Sequence, residues 1–318
     1  MIDITSSVCP DSNLLKPCYC ITDSFYCDGE EDIDLVQIFQ TLSKNLTKTE
    51  KHFKYFQLNN RFITELKENT FSDITFDGII IQKCLKLQTI DKNAFNTTDS
   101  LTTKLHIIMN RLLTSPNNSI FEVLSKFVQA TTISLVYNNI TEIPSNAFRN
   151  IVGKQDHLRE IDIAGASIRK LGNNVFSQLK NLENFFIMDT SIDFIPENAF
   201  EFNEEHKCQT SINLYNNRLL NISGFSQNSL SKLKRPTSIV LDSSNANNFP
   251  YLAEKIFQPF FLSNAKNQIE ILRGALDCSD CRNYWLKKNP NLLKQIKHSK
   301  CSNGKSLNDT TNFKNCSD

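Results

Sequence analysis

Cys278 and Cys281 stand three positions apart in the segment LDCSDCRNYW, and Trp285, the only tryptophan, follows four residues later. Cysteines at this spacing can provide half of a zinc site, form a redox-active dithiol, or belong to a disulfide framework. Zinc needs four Cys or His ligands, and His298 and Cys301 could complete such a set. The remaining sequence is needed to distinguish among these three chemistries.

The cysteines cluster at the two ends of the chain. Four of the ten lie near the start and four near the end, with Cys84 and Cys208 between the clusters. The chain also carries N-glycosylation sequons, and we expect glycosylation at Asn45, Asn96, Asn117, Asn139, Asn221 and Asn308. Asn315 also stands in a sequon, but the cysteine that follows it makes it a poor acceptor. Both features predict a secreted, extracellular protein.

The charge balance excludes several classes of partner. The 318 residues include 35 Lys and Arg against 34 Asp and Glu, a net charge of +1, so we expect no nucleic-acid partner. No run of about 18 apolar residues occurs, so we expect no insertion into a membrane. The segment after Met1, IDITSSVCPDSNLL, has no apolar signal region. We therefore interpret the chain as a mature form without its signal peptide.

The middle of the chain repeats itself. The segments FQLNNRFITELKENTF, ISLVYNNITEIPSNAF, IDIAGASIRKLGNNVF and FFIMDTSIDFIPENAF share apolar residues at the spacing of leucine-rich repeats, with Phe thirteen residues after an apolar anchor. Anchors recur at intervals of 23 to 30 residues, which predicts nine coils. The anchors are Leu58, Ile81, Ile107, Leu135, Ile163, Ile187, Leu214, Leu241 and Ile271.

The repeat pattern predicts how each coil is built. A short strand alternates its side chains, so Ile133 and Leu135 should point inward while Ser134 and Val136 point outward from a parallel sheet on the concave face. Asn138 should turn the chain out of the strand and satisfy buried backbone groups, and Asn110 and Asn217 repeat this role. At the other coils this position is assigned to Arg61, Cys84, Ala166, Thr190, Ser244 and Gly274.

The two cysteine clusters resemble the caps of extracellular leucine-rich-repeat proteins. The segment CPDSNLLKPCYCITDSFYC has the cysteine order of the N-terminal cap, and CSDCRNYWL with the two later cysteines resembles the C-terminal cap, although C-x-C is more usual there than C-x-x-C. In such caps the first cysteine joins the third and the second joins the fourth. The resemblance implies the disulfides Cys9–Cys20, Cys18–Cys27, Cys278–Cys301 and Cys281–Cys316.

A cap explains the C-terminal cysteines better than zinc or redox chemistry. A zinc site built from Cys278, Cys281, His298 and Cys301 would leave Cys316 without a role. A redox dithiol is expected at the start of a helix between parallel strands, and the flanking repeats do not offer that setting. Trp285 is then the apolar plug of the cap. Cys84 and Cys208 are predicted to be unpaired thiols, because about five strand spacings of 4.8 Å, roughly 24 Å, separate them.

Two flanking segments carry a more specific resemblance. They are EDIDLVQIFQTLSKNLTKTEKHFKYFQLNNRFITELKENTFSDI and WLKKNPNLLKQIKHSKCSNGKSLND. With them the chain resembles, over nearly its whole length, the arthropod leucine-rich-repeat proteins named after the non-catalytic subunit of oplophorus-luciferin 2-monooxygenase. In the luciferase this subunit accompanies a separate catalytic chain, and most relatives carry the name without any implied luminescence.

The sequence offers no enzyme active site. The histidines are scattered over different coils, and neither H-E-x-x-H, a Gly-rich phosphate loop nor G-x-S-x-G occurs. Glu160, Asp162, Glu183 and Asp189 fall at outward positions, but an open sheet does not exclude water from a carboxylate pair. We predict a protein that is not an enzyme, with no catalytic, metal or cofactor-binding residues and no cofactor.

The outward positions of the middle coils hold an apolar column edged by acidic residues. Met, Tyr and Phe are enriched in protein-binding patches, although exposed β-branched residues are also common on strands. The candidate partner-binding residues are Ile108, Met109, Val136, Tyr137, Asp162, Phe186, Met188, Asp189 and Tyr215. The expected partner is another protein, secreted or on a cell surface.

These observations combine into one prediction. The fold class is an α/β leucine-rich-repeat solenoid of about nine coils, with a parallel sheet on the concave face, short helical or irregular segments on the convex side, and disulfide-bonded caps. The predicted boundaries are 1–50 for the N-terminal cap, 51–275 for the repeats and 276–318 for the C-terminal cap.

The predicted function is protein binding as a non-catalytic companion subunit, carrier or recognition factor. An innate-immune sensor of lipid or glycan, or a matrix or adhesion protein, remains an alternative; adhesion would need an anchor, and no C-terminal apolar tail is present to supply one.

Overall fold

The computed structural model describes residues 9–112, 120–148, 157–165, 167–177, 179–201, 209–217, 220–242, 249–297, 300–309, 312–313 and 316. The chain divides into two compact units. Unit 1 consists of Met1–Ile140 with Ala147–Ile163, and unit 2 consists of Thr141–Asn146 with Ala164–Asp318.

Short strands dominate the described residues. The strands are β1 Tyr19–Ile21, β2 Ser24–Gly29, β3 His52–Asn60, β4 Glu65–Leu66, β5 Thr75–Gln82, β6 Thr89–Ile90, β7 Lys104–Ile108, β8 Thr132–Val136, β9 Glu142–Ile143, β10 Glu160–Ala164, β11 Lys170–Leu171, β12 Asn184–Met188, β13 Thr210–Leu214, β14 Thr237–Asp242, β15 Gln268–Leu272 and β16 Ile296–Lys297. The α-helices are α1 Leu35–Asn45, α2 Ile120–Leu124, α3 Glu254–Ser263, α4 Tyr284–Lys288 and α5 Pro290–Leu293. Short 3-10 helices cover Ser12–Leu14, Lys48–Glu50, Ile222–Gly224 and Cys281–Asn283.

Each unit contains a mainly parallel sheet whose strands follow one another in chain order. In unit 1 the order is β1, β2, β3, β5, β7, β8 and β10, and the β1–β2 hairpin supplies an antiparallel pair. In unit 2 the order is β12, β13, β14, β15 and β16, with parallel pairing throughout. Smaller two-stranded parallel pairs form between β4 and β6 in unit 1 and between β9 and β11 in unit 2.

The inward side chains of the strands form the core, as the repeat spacing predicts. All nine predicted anchors lie in strands of the sheets and are at most 2% exposed. The register places equivalent anchors side by side: Ile81 pairs with Ile107, and Ile107 with Leu135. The phenylalanines thirteen residues after an anchor, Phe71, Phe148, Phe176 and Phe200, are fully buried. Burial of aliphatic and aromatic side chains, each contributing about 1.5 to 3 kcal/mol, is therefore the main stabilising term in both units.

Asparagines stabilise the turns that follow the strands, as predicted. In unit 1 the Asn110 side chain donates to the Ile81 carbonyl (3.0 Å) and accepts the Cys84 backbone N–H (3.0 Å). Asn138 donates to the Ile107 carbonyl at 2.7 Å, which repeats the pattern one coil later. In unit 2 Asn217 donates to the carbonyl of Ile187 at 2.9 Å. Each amide thus satisfies backbone groups that the turn leaves buried.

Cys84 occupies the asparagine position in its coil, as predicted, and the assignment of Arg61 to the preceding coil is wrong. The Cys84 thiol donates to the Leu58 carbonyl at 3.7 Å, a weak counterpart of the asparagine contact. One coil earlier, Asn60 is fully buried, and its amide oxygen accepts the backbone N–H groups of two following residues. Arg61 is exposed because the buried asparagine of this coil is Asn60, one residue before the position that the repeat spacing indicates.

The predicted cap disulfides are all present in the structure. In unit 1 the bonds are Cys9–Cys20 and Cys18–Cys27, and the β1–β2 hairpin that they brace pairs with the first repeat strand through β2. In unit 2 the bonds are Cys278–Cys301 and Cys281–Cys316. Cys84 is a buried free thiol, as predicted, whereas Cys208 lies outside the described residues.

Trp285 plugs the C-terminal end of unit 2, which agrees with its predicted role. The indole is 4% exposed and packs near Phe261, with ring centroids 6.4 Å apart. Its N–H donates to the Leu252 carbonyl at 2.9 Å, so the polar edge of the ring is satisfied. The adjacent β16 pairs in parallel with β15, the last of the repeat strands.

Candidate partner-binding faces

The outward side chains of the repeat strands form an outer face on each sheet. Alternation along a strand places every second side chain on this face, and most of these side chains are half-buried or exposed. Because the neighbouring strands are parallel and in register, equivalent outward residues lie in rows across the sheet. The candidate binding residues lie in such rows or directly after the strands, and each unit holds some of them.

The structure brings four apolar candidates together on unit 1. Ile108 pairs in register with Val136 on the adjacent strand, and both side chains are half-buried. The next residue in each coil is Met109 or Tyr137, which are 42% and 47% exposed. The Met109 backbone N–H donates to the Val136 carbonyl at 2.8 Å, which holds the two coils together at this point. We call these four residues the unit 1 patch.

Met109 and Tyr137 do not lie on strands, which corrects the sequence-based assignment. Both follow the last strand residue and adopt positive φ angles, 56° for Met109 and 53° for Tyr137. Asp189 in unit 2 takes the same position, with a φ angle of 55°. The chain leaves each strand by a left-handed residue, a turn that alternating polarity alone does not reveal.

A row of polar side chains runs beside the unit 1 patch. His106 pairs in register with Ser134, and the Ser134 hydroxyl donates to Asp162 Oδ2 at 3.4 Å. Burial lowers the pKa of His106, and Lys104 lowers it further, so the imidazole is held neutral. Burial raises the pKa of Asp162, and nearby Glu160 acts in the same direction. The row therefore carries a poorly solvated carboxyl.

Unit 2 holds the remaining candidates. Phe186 and Met188 lie on the outer face of β12 and are half-buried. Phe186 pairs in register with Asn213 on β13. The Asp189 backbone N–H donates to the Tyr215 carbonyl at 3.2 Å, which places these two candidates on neighbouring turns. As in unit 1, the predicted residues of this unit form one contiguous group.

A salt bridge that the sequence did not reveal covers one of these candidates. The Arg273 guanidinium donates to both carboxylate oxygens of Asp242, and its Nε lies 3.1 Å from Oδ1. The same guanidinium lies over the Tyr215 ring, with its Cζ atom 4.3 Å from the ring centroid. Asp242 also accepts the backbone N–H of Asn216 at 2.9 Å. The Asp242 side chain is 1% exposed, whereas that of Arg273 is 46% exposed. The one sequence signal for this contact was that Arg273 occupies the same turn position as Met109.

The polar cluster around His52 does not offer an accessible nucleophile. His52 contacts Thr75 Oγ1 through Nδ1 and Asp77 Oδ1 through Nε2, each at 3.0 Å. Thr75 is 7% exposed, and its hydroxyl also contacts the Lys51 carbonyl at 3.2 Å, so a substrate cannot reach it as a nucleophile. Among the described residues there is also no group of three or more His, Cys, Asp and Glu side chains suited to a metal ion.

The predicted glycosylation sites differ in their exposure. Asn45, Asn139 and Asn308 are exposed. Asn96 is half-buried, and its amide donates to Asn69 Oδ1 at 2.9 Å. Asn221 is half-buried and accepts the Ser223 backbone N–H at 2.9 Å, and Asn117 lies outside the described residues. The three exposed sites present their amides most directly to a transferase, and occupancy at all of them stays a prediction.

Similarity to known proteins supports the fold. No family model matches the chain. The Oplophorus-luciferin 2-monooxygenase non-catalytic subunit of Oplophorus gracilirostris is 24% identical over 94% of this chain and 85% of its own length. A chain of the Toll–Spatzle complex of Drosophila matches with a TM-score of 0.54 and 17% identity over 80% of this chain, which spans only 31% of that chain. A chain of the octameric complex of Latrophilin 3, Unc5D and the leucine-rich-repeat protein FLRT2 matches with a TM-score of 0.54 and 15% identity, over 94% of this chain and 99% of its own.

This chain has the leucine-rich-repeat fold. The identity to the two solved structures is too low to carry more than the fold, and the fold agrees with the parallel sheets, the asparagine turns and the disulfide-bonded caps described above. Within the described residues of this leucine-rich-repeat protein, no helix is both long and apolar enough to cross a bilayer.

Proposed function

We propose that this leucine-rich-repeat protein is a secreted, non-catalytic binding protein that acts as a companion subunit, carrier or recognition factor for another protein, and that the unit 1 patch is part of its binding surface. The name of the relative from Oplophorus gracilirostris, a non-catalytic subunit, supports a companion role. The four disulfides support secretion, because such bonds persist in oxidising compartments.

The proposal rests on the residue types at two positions that directly follow strands, Met109 after β7 and Tyr137 after β8. A left-handed backbone favours Gly, Asn or Asp, and Gly165, Asp189 and Asn216 follow that preference. Lys83, Met109, Tyr137 and Arg273 do not follow it, and a bulky side chain there costs about 1 to 2 kcal/mol. Among these four, Met109 and Tyr137 are the apolar and aromatic side chains. With exposures of 42% and 47%, a large part of each side chain is accessible to a partner. Met and Tyr at such positions supply the contact area that protein interfaces use.

Affinity chromatography with native secretions tests this function. Tyr137→Asp and Met109→Asp are suitable variants, because Asp tolerates the left-handed backbone and both changes should leave the fold intact. We expect the unchanged protein to retain one stoichiometric protein partner and the double variant to lose it. The matched control is Phe194→Asp, which places the same charge at a side chain that is 48% exposed and does not belong to the patch.

Two outcomes would contradict the proposal. Retention of the partner by the double variant would move the binding surface away from the unit 1 patch. Purification of the protein with a lipid or glycan, and without a protein partner, would replace the companion role by ligand sensing. Thermal unfolding of each variant shows whether a loss of binding reflects a loss of the fold.

A further inference from the structure

One carboxyl on the outer face of unit 1 is incompletely satisfied. Asp162 Oδ2 accepts a single long contact, 3.4 Å, from the Ser134 hydroxyl. Asp162 Oδ1 is inaccessible to solvent and has no hydrogen-bond partner among the described residues. A carboxylate has about four acceptor sites, and a buried acceptor without a donor is rare in folded proteins.

Among the described residues, no positive charge acts on this carboxyl. Within the described part of the chain, the charged group that acts on Asp162 is Glu160, which has the same sign. The neighbouring side chains across the sheet are Ser134 and His106, and the imidazole is held neutral by burial. A donor that is also a cation would supply the missing charge and add hydrogen bonds to the accessible side of the carboxyl.

The surroundings favour one kind of cation. Ser134 and Val136 are two residues apart on one strand, so their side chains lie about 7 Å apart on the same face. Asp162, which contacts Ser134, therefore lies about two residues along the outer face from half-buried Val136, and exposed Tyr137 follows Val136 in the chain. Arginine is weakly hydrated, binds a carboxylate with two parallel N–H groups, and packs its planar head on apolar and aromatic surfaces. An ammonium group is more strongly hydrated and gains less from such a position.

We propose that Asp162 receives an arginine side chain of the partner protein, while an adjacent apolar side chain of the partner packs on Val136 and Tyr137. This proposal rests on the proposed function and states the chemistry of the partner. The Asp162 side chain is only half-buried, and rotation about its Cβ–Cγ bond exchanges the two oxygens, so either oxygen can turn towards an incoming guanidinium.

Selection from a library of random short linear peptides tests the proposal even when the partner protein has not been isolated. The bait is the full chain, and the same selection is run on Asp162→Asn, on Tyr137→Asp and on the control Phe194→Asp. We expect peptides retained by the unchanged protein and by the control to be enriched in Arg next to an apolar residue. Asp162→Asn should lose the enrichment of Arg and keep that of apolar residues.

Affinity measurements on one selected peptide test whether its Arg contacts Asp162. Replacing its Arg by Ala should weaken binding to the unchanged protein by about tenfold or more, and should change binding to Asp162→Asn by less than about twofold. Equal losses with both proteins, or enrichment of acidic residues, would overturn the arginine site. Apolar enrichment that Tyr137→Asp abolishes, without any dependence on Arg, would leave the proposed function standing and refute this inference alone. Absence of any enrichment would overturn the arginine site as stated, while the proposed function would still rest on the affinity chromatography.

Discussion

The guanidinium of Arg273 lies over the ring of Tyr215, with its Cζ atom 4.3 Å from the ring centroid. The same group forks onto Asp242, a carboxylate whose side chain is 1% exposed. Tyr215 is therefore partly covered by an ion pair that spans two coils of unit 2, whereas its outward position alone suggested a freely exposed ring. The hydrogen bond that Arg273 donates to Asp242 raises the pKa of Arg273 further, so the guanidinium keeps its positive charge.

Removal of Arg273 should destabilise unit 2. In Arg273→Ala the carboxylate of Asp242 loses its cation and Tyr215 loses the group that covers it, so we expect a lower midpoint of thermal unfolding. Arg273→Lys should recover only part of the loss, because an ammonium group cannot fork onto both oxygens. The control is Arg61→Ala, since the Arg61–Glu30 pair is largely exposed and should contribute little. A midpoint for Arg273→Ala equal to that of the control would show that the ion pair is dispensable.

The register of the repeat strands can be checked with two adjacent residues. Leu135 is 1% exposed and points inward, so Leu135→Ala should lower the free energy of unfolding by about 2 to 5 kcal/mol. Val136 points to the outer face, and Val136→Ala should cost about 0.5 to 1 kcal/mol. Denaturant unfolding measures both values. The reverse order of the two losses would mean that the strand register is wrong by one residue.

Stability should depend on pH through Asp162. Because burial raises its pKa, the charged carboxyl destabilises the folded protein at neutral pH, and protonation relieves this effect as the pH falls through the folded pKa. We therefore expect Asp162→Asn, which can still accept the Ser134 hydroxyl, to be more stable than the unchanged protein at neutral pH. The difference should shrink on acidification, as measured by urea unfolding between about pH 3.5 and 7. A difference that stays constant over this range would contradict the raised pKa.

Cys84 should be inert in the folded protein. Burial raises the pKa of its thiol to about 11, so at pH 8 only about one thiol in a thousand is ionised. We expect iodoacetamide to leave Cys84 unmodified in the native protein and to modify it after denaturation without reductant, as measured by peptide mapping. The same maps report the state of Cys208 and whether the cap cysteines stay protected. Modification of native Cys84 would show that its coil opens to solvent.

The sequence by itself determined the repeats, the inward side chains and the caps. These features are encoded locally: an anchor such as Leu135 recurs at a fixed spacing, Asn138 marks the turn, and the cysteine order of the caps matches that of known caps. A repeat fold is easier to predict from sequence than most folds, because each coil packs mainly on its neighbours and buries side chains at the same repeat positions. The sequence therefore also identified the outward residues of the strands, although it placed Met109 and Tyr137 on the strands and not on the turns that follow them.

Only the tertiary structure decided which outward residues are exposed, covered or incompletely hydrogen-bonded. Whether Tyr215 is free or covered depends on Arg273, 58 residues further along the chain, which no local pattern connects to it. The left-handed turns that expose Met109 and Tyr137 depend on backbone angles, which alternating polarity does not encode. The unsatisfied oxygen of Asp162 is likewise a property of its neighbours in space, because burial and hydrogen bonding are set by packing between coils and not by residue type.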